Sequence, residues 1–350
     1  MTLIILVLIL GLLIFVHELG HFIFAKKFGV HVYEFALGMG PKIFSFKRKK
    51  ETGDPTIYSL RLLPIGGFCA MAGEVGEDDQ KIKKSEFMCN KSKLERLLIL
   101  ASGVIFNFLL AIILLFLQSL IWGNPNQESI IGYAPENHPI SDAGIEEGDK
   151  VIALNGYKVN TWDKLTVVLN LKHKKDSYDF KIKKTDGSVK DYKITPRLDK
   201  NEDGDSIKVF GLGAGSEVQT GVINAIKFAF TKFWSIITTM AIIIGSLFTG
   251  KLELSSLSGP VGMYAIVGET AKHGIQSLIY LTAYLSINLG FINAIPLPAF
   301  DGGRILFIGI EAINKKKVDA NIENILHTIG FILLIILMIY ITVMDVWKFF

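Results

Sequence analysis

Five consecutive residues, His17-Glu18-Leu19-Gly20-His21, hold the densest chemistry in the chain. Histidines four apart lie on one face of a helix, one turn from each other. Two imidazoles so spaced can bind one zinc ion, and a glutamate beside the first of them serves as a general base. The five residues fall inside an apolar run. Ionisable groups there are costly unless compensated, so function is the first reading. The competing readings are the His/Glu proton path of an ion transporter, or a helix end snorkelling toward water.

Catalytic zinc takes three protein ligands and keeps a position for water. The third ligand should be an acid or His at membrane depth, level with the far end of the first run. Asp301 stands there, in Asn293-Ala294-Ile295-Pro296-Leu297-Pro298-Ala299-Phe300-Asp301-Gly302-Gly303. Two prolines interrupt this apolar segment and two glycines close it. Irregular backbone at that depth needs protein or a wet cavity around it. Without His17 and His21, Asp301-Gly302 would read as a plain turn.

The elements that must position these groups are membrane helices. A crossing needs about 20 mostly apolar residues. Leu3 to Ala25, Leu97 to Trp122, Ile275 to Phe300 and Thr328 to Met344 qualify, giving about four crossings. Phe233 to Gly250 is uncharged but diluted by Ser, Thr and Gly. The first run lacks a basic start and a small-residue cleavage site, so it reads as a retained helix. Lys26 and Lys27, Lys91, Lys93 and Arg96, then Arg304 and Lys315 to Lys317 flank one side of the runs. The positive-inside rule makes that side cytoplasmic, with both termini and the polar stretch from 128 to about 225 outside. If Asp301 meets His17 and His21, residues 123–274 cross an even number of times, so Phe233–Gly250 should be interfacial or re-entrant.

Composition agrees with a membrane protein. The 350 residues are 50% hydrophobic and only 20% charged, with a mean hydropathy of +0.41. That excludes a disordered chain, and two cysteines exclude a disulfide-stapled fold. Cys69 and Cys89 fall in a cytoplasmic loop, where thiols stay reduced. The net charge of +4 comes from clusters and not from a stripe, so no nucleic-acid partner is expected.

Taken together, these motifs resemble the bacterial site-2 protease family of intramembrane zinc metalloproteases. His17-Glu18-Leu19-Gly20-His21 matches its zinc motif. Asn293 to Gly302 matches its N-x-x-P-x-P-x-L-D-G signature, with Phe300 where the family has Leu. Gly103 and Asn107 resemble its G-x-x-x-N element, and the order of elements fits along nearly the whole chain. Ser141 to Ile145, Gly148 to Ile152, Asn155-Gly156 and Trp162 resemble a PDZ domain.

The resemblance implies a polytopic α-helical membrane protein with about four transmembrane helices, a membrane-associated β-sheet and one extracytoplasmic PDZ domain. The divisions are a first membrane helix with the zinc motif (1–27), a cytoplasmic-side β region (28–95), a second helix (96–123) and the PDZ domain (128–212). An interfacial or re-entrant segment (220–272), a third helix with the Asp ligand (275–303) and a fourth (327–346) follow. Within the β region, Ile43-Phe44-Ser45-Phe46 and Ile57 to Leu62 alternate like strands around a turn near Gly53-Asp54-Pro55. The expected cofactor is one Zn²⁺ held by His17, His21 and Asp301, with Glu18 as catalytic base. Asn293 and Asn107 are weaker substrate-binding candidates, Asn107 equally fitting interhelical packing. Family substrates are single-pass membrane proteins already trimmed outside, such as anti-sigma factors and signal-peptide remnants. The setting is a bacterial plasma membrane, with the active site near its cytoplasmic face. Rival readings are an ion transporter, which inverted repeats would favour and none is found, and a non-catalytic PDZ scaffold.

Overall fold

The computed structural model describes residues 1–47, 56–73, 82–171, 176–200, 206–215 and 217–349. The turn expected near Gly53-Asp54-Pro55 lies outside them. The chain divides into two compact units, one of Met1–Leu114 with Leu257–Phe350 and one of Leu115–Ser256. The boundary falls within a continuous helix.

The first unit begins with α1 (Thr2–Lys27), whose Leu- and Ile-rich stretch has no proline to break it. The helix closes as Val30 N–H donates to the Ala25 carbonyl at 2.8 Å and Gly29 takes φ +65°. Two long bent strands follow, β1 (Val32–Lys47) and β2 (Ile57–Met71). Each is used twice. Residues 32–37 pair antiparallel with 67–71, while Glu34 to Leu37 run in ascending register beside Ile57 to Leu60. Phe44 to Lys47 then pair back against Ile57 to Leu60. Gly38 and Gly40, at φ +89° and +81°, let β1 reverse, and a Cβ on Gly38 would meet the Leu63 carbonyl oxygen at 2.7 Å. At the centre, Glu34 accepts from Ser59 and Arg61 and pairs with Lys42 at 2.9 Å.

Helix α2 (Lys93–Trp122) runs out of this unit into the second. That unit holds β3 (Asn124–Pro125), β4 (Ile131–Tyr133), α3 (Pro139–Asp142), β5 (Lys150–Leu154), β6 (Tyr157–Lys158) and α4 (Trp162–Asn170). It continues with β7 (Tyr178–Lys183), β8 (Val189–Ile194), β9 (Arg197–Lys200), β10 (Ser206–Val209), β11 (Gly213–Ala214), β12 (Val218–Gln219) and α5 (Val222–Phe248). The main sheet has the order β6-β5-β7-β8. Alternation along β7 turns Tyr178, Phe180 and Ile182 inward, onto Val151, Leu154, Leu165 and Val168. The Asn-Gly turn expected after Leu154 is present, with Asn155 and Gly156 both at positive φ.

Helix α5 begins well before Phe233. Along it, Lys232 pairs with Asp163 at 2.7 Å, Ser235 meets Thr161 at 2.7 Å, and Ile242 packs on the domain core.

The first unit resumes with α6 (Pro260–Lys272), α7 (Ile275–Ala294), α8 (Asp301–Asn314) and α9 (Ala320–Phe349). The segment expected as one helix over 275–303 is therefore two. The chain turns at 295–300, where two prolines cannot supply amide donors, and Asp301 opens the next helix. Helix α9 starts before residue 327 and also outlasts the expected span. Among the described residues five helices are long and apolar enough to cross a bilayer, one more than expected: α1, α2, α5, α7 and Ile322–Trp347 of α9. Leu3, Ile4, Leu8 and Leu12 of α1, with Phe331, Leu333, Ile336 and Ile339 of α9, face outward. Apolar surface so extensive is lipid-facing, since water-soluble chains keep such patches small. The protein is a multi-pass membrane protein.

Candidate metal centre

Helix α1 presents His17 and His21 one turn apart, both buried. It can press them against α2 because neither helix has a side chain at the crossing. A Cβ on Gly20 would meet the Ser102 carbonyl oxygen at 2.5 Å. A Cβ on Gly103 would collide with His21 Nε2 and meet His17 Cε1 at 2.7 Å.

Asp301 arrives as the first residue of α8. Gly302 and Gly303 let the 295–300 turn fold onto that helix start, since a Cβ on either would strike the carbonyls of Ile295 or Leu297. The corner includes Ala299 at φ +81°, a conformation that costs a non-glycine residue about 1–2 kcal/mol. Two residues of α9 hold it. His327 Nδ1 accepts from Ala299 N–H at 3.0 Å, and Gly330 packs on Pro298.

The three side chains converge. His17 Nε2 lies 3.2 Å from His21 Nε2, and Asp301 Oδ2 lies 3.1 and 3.3 Å from them. Tetrahedral zinc with ligands at about 2.0–2.1 Å holds them about 3.4 Å apart, so the spacing fits one ion. Donor chemistry fits as well. His21 Nδ1–H donates to the Ile99 carbonyl at 2.8 Å, which leaves the Nε2 lone pair facing Asp301. Asp301 Oδ2 is buried and has no hydrogen-bond donor. Lone pairs turned on one another in a buried site repel until a cation sits among them.

Asn107 lies against this cluster, its amide 3.3 Å from His17 Nδ1 with Oδ1 unpartnered. Turning the amide over lets Oδ1 accept His17 Nδ1–H and frees Nε2, the arrangement a metal-bound imidazole takes. Its backbone carbonyl also accepts from Ser286 at 2.8 Å. The structure thus places Asn107 on a histidine and against α7. Asn293 is half-buried near the end of α7 and does not line the cavity.

The cavity beside the cluster has a volume of about 390 Å³. Glu18, one residue after His17, lines it together with His17, His21 and Asp301. One wall is Phe68 to Met71 of β2, which pairs with β1. Arg304 and His327 complete another wall. Neither carries a motif in the sequence: Arg304 reads as a topology charge, and His327 stands one residue before the apolar run that starts at Thr328.

Ligands fit for zinc, an acid beside them and a cavity among apolar helices define a membrane-embedded metalloenzyme. The sequence profile of peptidase family M50 matches residues 5–337. The chain belongs to that family, the site-2 protease family of zinc metalloproteases. The zinc metalloprotease RasP of Bacillus licheniformis is 32% identical over 427 residues, covering 100% of this chain and 99% of the relative. The regulator of sigma-W protease RasP of Bacillus subtilis is 32% identical over 426 residues, with 100% and 99% covered. A Fusobacterium nucleatum protein named as a zinc metalloprotease is 37% identical over 354 residues, each chain covered to 100%. The protein is an intramembrane zinc metalloprotease.

Proposed function

We propose that His17, His21 and Asp301 hold the zinc and that Glu18 is the catalytic base for cleavage of transmembrane segments. The observation that carries this reading is the set of 3.1–3.3 Å separations among three ligand atoms from two helices. When bound, zinc supplies Lewis acidity to the water and to the scissile carbonyl. Glu18 takes the proton of the attacking water and returns it to the leaving amine. Asn107 and the Ile99 carbonyl orient the two imidazoles. Strand β2 at residues 68–71, on the cavity wall, holds the substrate extended, which a helical substrate requires, since its amides otherwise bond internally. Asn293 is kept as a substrate contact outside the cavity wall.

Substrates in this proposal are single-pass membrane proteins already cut outside, of anti-sigma-factor or remnant-signal-peptide type. The sigma-W regulator name of the Bacillus subtilis relative supports that class. Residues 128–212 form a PDZ domain outside the membrane that excludes uncut proteins by size. Both termini lie on the same side as that domain, and the metal lies near the cytoplasmic face. Helix α5 lies along the outer interface. Its contacts with Asp163, Thr161 and the domain core extend to Ile242, and the residues beyond are far fewer than the roughly 20 a crossing needs.

Zinc analysis tests the ligand set: His17→Ala and Asp301→Asn should each lose bound metal, and full retention in either overturns it. A reporter fused after Leu252 should read outside, and a cytoplasmic reading overturns the topology. Membrane peptides accumulating in a Glu18→Gln strain should be pre-trimmed single-pass segments. Intact multi-pass proteins there would contradict the substrate class.

A further inference from the structure

His327 makes one hydrogen bond and leaves its other nitrogen unmatched. Nδ1 accepts the Ala299 N–H at 3.0 Å. A backbone N–H only donates, so the neutral ring must carry its proton on Nε2. Nε2 is buried and meets no acceptor among the described residues. The ring is fixed in place. Gly330, one turn further along α9, would bring a Cβ to 2.6 Å from Pro298, and the Phe307 ring lies tilted at 5.9 Å. The residue lines the same cavity as Glu18, Asp301 and Arg304.

A buried donor without an acceptor costs free energy until one arrives. Such groups at an enzyme's cavity wall are matched by what the reaction brings in. Here the incoming chemistry is a peptide carbonyl whose oxygen gains charge during attack.

We propose that His327 is a further catalytic residue, whose Nε2–H donates to the scissile carbonyl oxygen as it becomes the tetrahedral oxyanion. The inference rests on the metal-site reading above. In the step, the water oxygen bonds to the carbonyl carbon and the π electron pair moves onto the carbonyl oxygen, where the Nε2–H bond strengthens. Collapse restores the C=O bond and breaks C–N. The proton that Glu18 took from water goes to the leaving nitrogen. His327 keeps its own proton throughout, and water is the only co-reactant.

Two substitutions separate this role from that of a prop for the Ala299 corner. In His327→Asn the side-chain oxygen can still accept from Ala299 N–H, but no donor stands at the Nε2 position. In His327→Gln the amide nitrogen can reach the Nε2 position, but the acceptor for Ala299 is lost. Both are made in the full-length, zinc-loaded protein in detergent. Kinetics use a transmembrane peptide substrate, and binding uses a phosphinic peptide that mimics the tetrahedral state. The proposal expects His327→Asn to lower kcat about 100-fold or more with KM and zinc content unchanged. Affinity for the phosphinic peptide should fall in parallel, and His327→Gln should stay within about tenfold of the parent. Parent-like kcat in His327→Asn overturns it, as does activity in Asn with loss in Gln. A His327→Asn protein that loses zinc or does not fold assigns the residue to the corner and also overturns it. Glu18→Gln run alongside distinguishes the failures. If Glu18→Gln still cleaves, the metal-site reading is at fault, and if it is dead while His327→Asn is active, only the role of His327 falls.

Discussion

Gly103→Ala tests the packing that brings the proposed metal ligands together. The new Cβ would overlap His21 Nε2 and stand 2.7 Å from His17 Cε1. Carbon contacts relax to about 3.5–4.0 Å, so the His17 ring must retreat by about 0.8 Å or more and the His21 ring further. A metal site tolerates ligand shifts of about 0.2 Å. Disturbing only the partners of ligands costs about 10–100-fold in metal affinity, so displacing two ligands directly should cost at least about 100-fold, or about 2.7 kcal/mol. Alanine is otherwise a better helix former than glycine, so α2 itself does not suffer. The assay is competition for zinc against a chromophoric chelator in detergent, with circular dichroism to confirm helix content. Gly11→Ala on α1, where a Cβ meets nothing within 4 Å, is the control and should bind zinc like the parent. Parent-like zinc affinity in Gly103→Ala would falsify the close packing of α1 on α2 as the source of the ligand geometry.

Asp345 of α9 is buried and accepts the Gly259 and Gly262 N–H groups at 2.8 Å each, tying α9 to the start of α6. Asp345→Leu should cost about 1–3 kcal/mol per orphaned amide and lower the thermal midpoint, whereas an unchanged midpoint removes the tie from the account. Half-buried Arg96 pairs with buried Glu311 at 2.7 Å between α2 and α8. Arg96→Met alone should destabilise by about 3–5 kcal/mol, with Arg96→Met/Glu311→Leu recovering much of it; equal loss in both refutes a charge-driven effect. Burial would raise the Glu34 carboxyl, but hydrogen bonds from Ser59, Lys42 and Arg61 outweigh it and hold the group below its ordinary value of 4.5. Its stabilisation of the sheet is therefore present above that value and lost as pH falls through the depressed native one. Acid unfolding followed by hydrogen exchange in β2 should flatten in Glu34→Gln, and an unaltered pH slope excludes Glu34 as its source.

What could be read from the sequence was what helical spacing and membrane cost encode. His17 and His21 share a face because residues four apart always do in a helix, and Asp301 stands out as an acid in an apolar segment broken by prolines. The partners supplied by packing were hidden. Asn107 reaches His17, and His327 reaches Ala299, only because separate helices cross at glycines, and no periodicity within one helix reports on its neighbour. The strands at 43–46 and 57–62 were visible from alternation. That Ile57 to Leu60 are flanked by β1 on both sides was not, because register is set by the reversal at Gly38 and Gly40. That α5 begins at Val222, ahead of the uncharged run from Phe233, was hidden for a similar reason. Its first turns carry polar groups such as Lys232, whose partner Asp163 lies in a separate element.

In the proposed mechanism Glu18 moves the proton while His17, His21 and Asp301 hold the metal. Purified Glu18→Gln protein, assayed for zinc content and for cleavage of a transmembrane peptide, tests both halves at once. The expected result is one zinc per chain, as in the parent, and no cleavage. Unchanged proteolysis in that protein would contradict it.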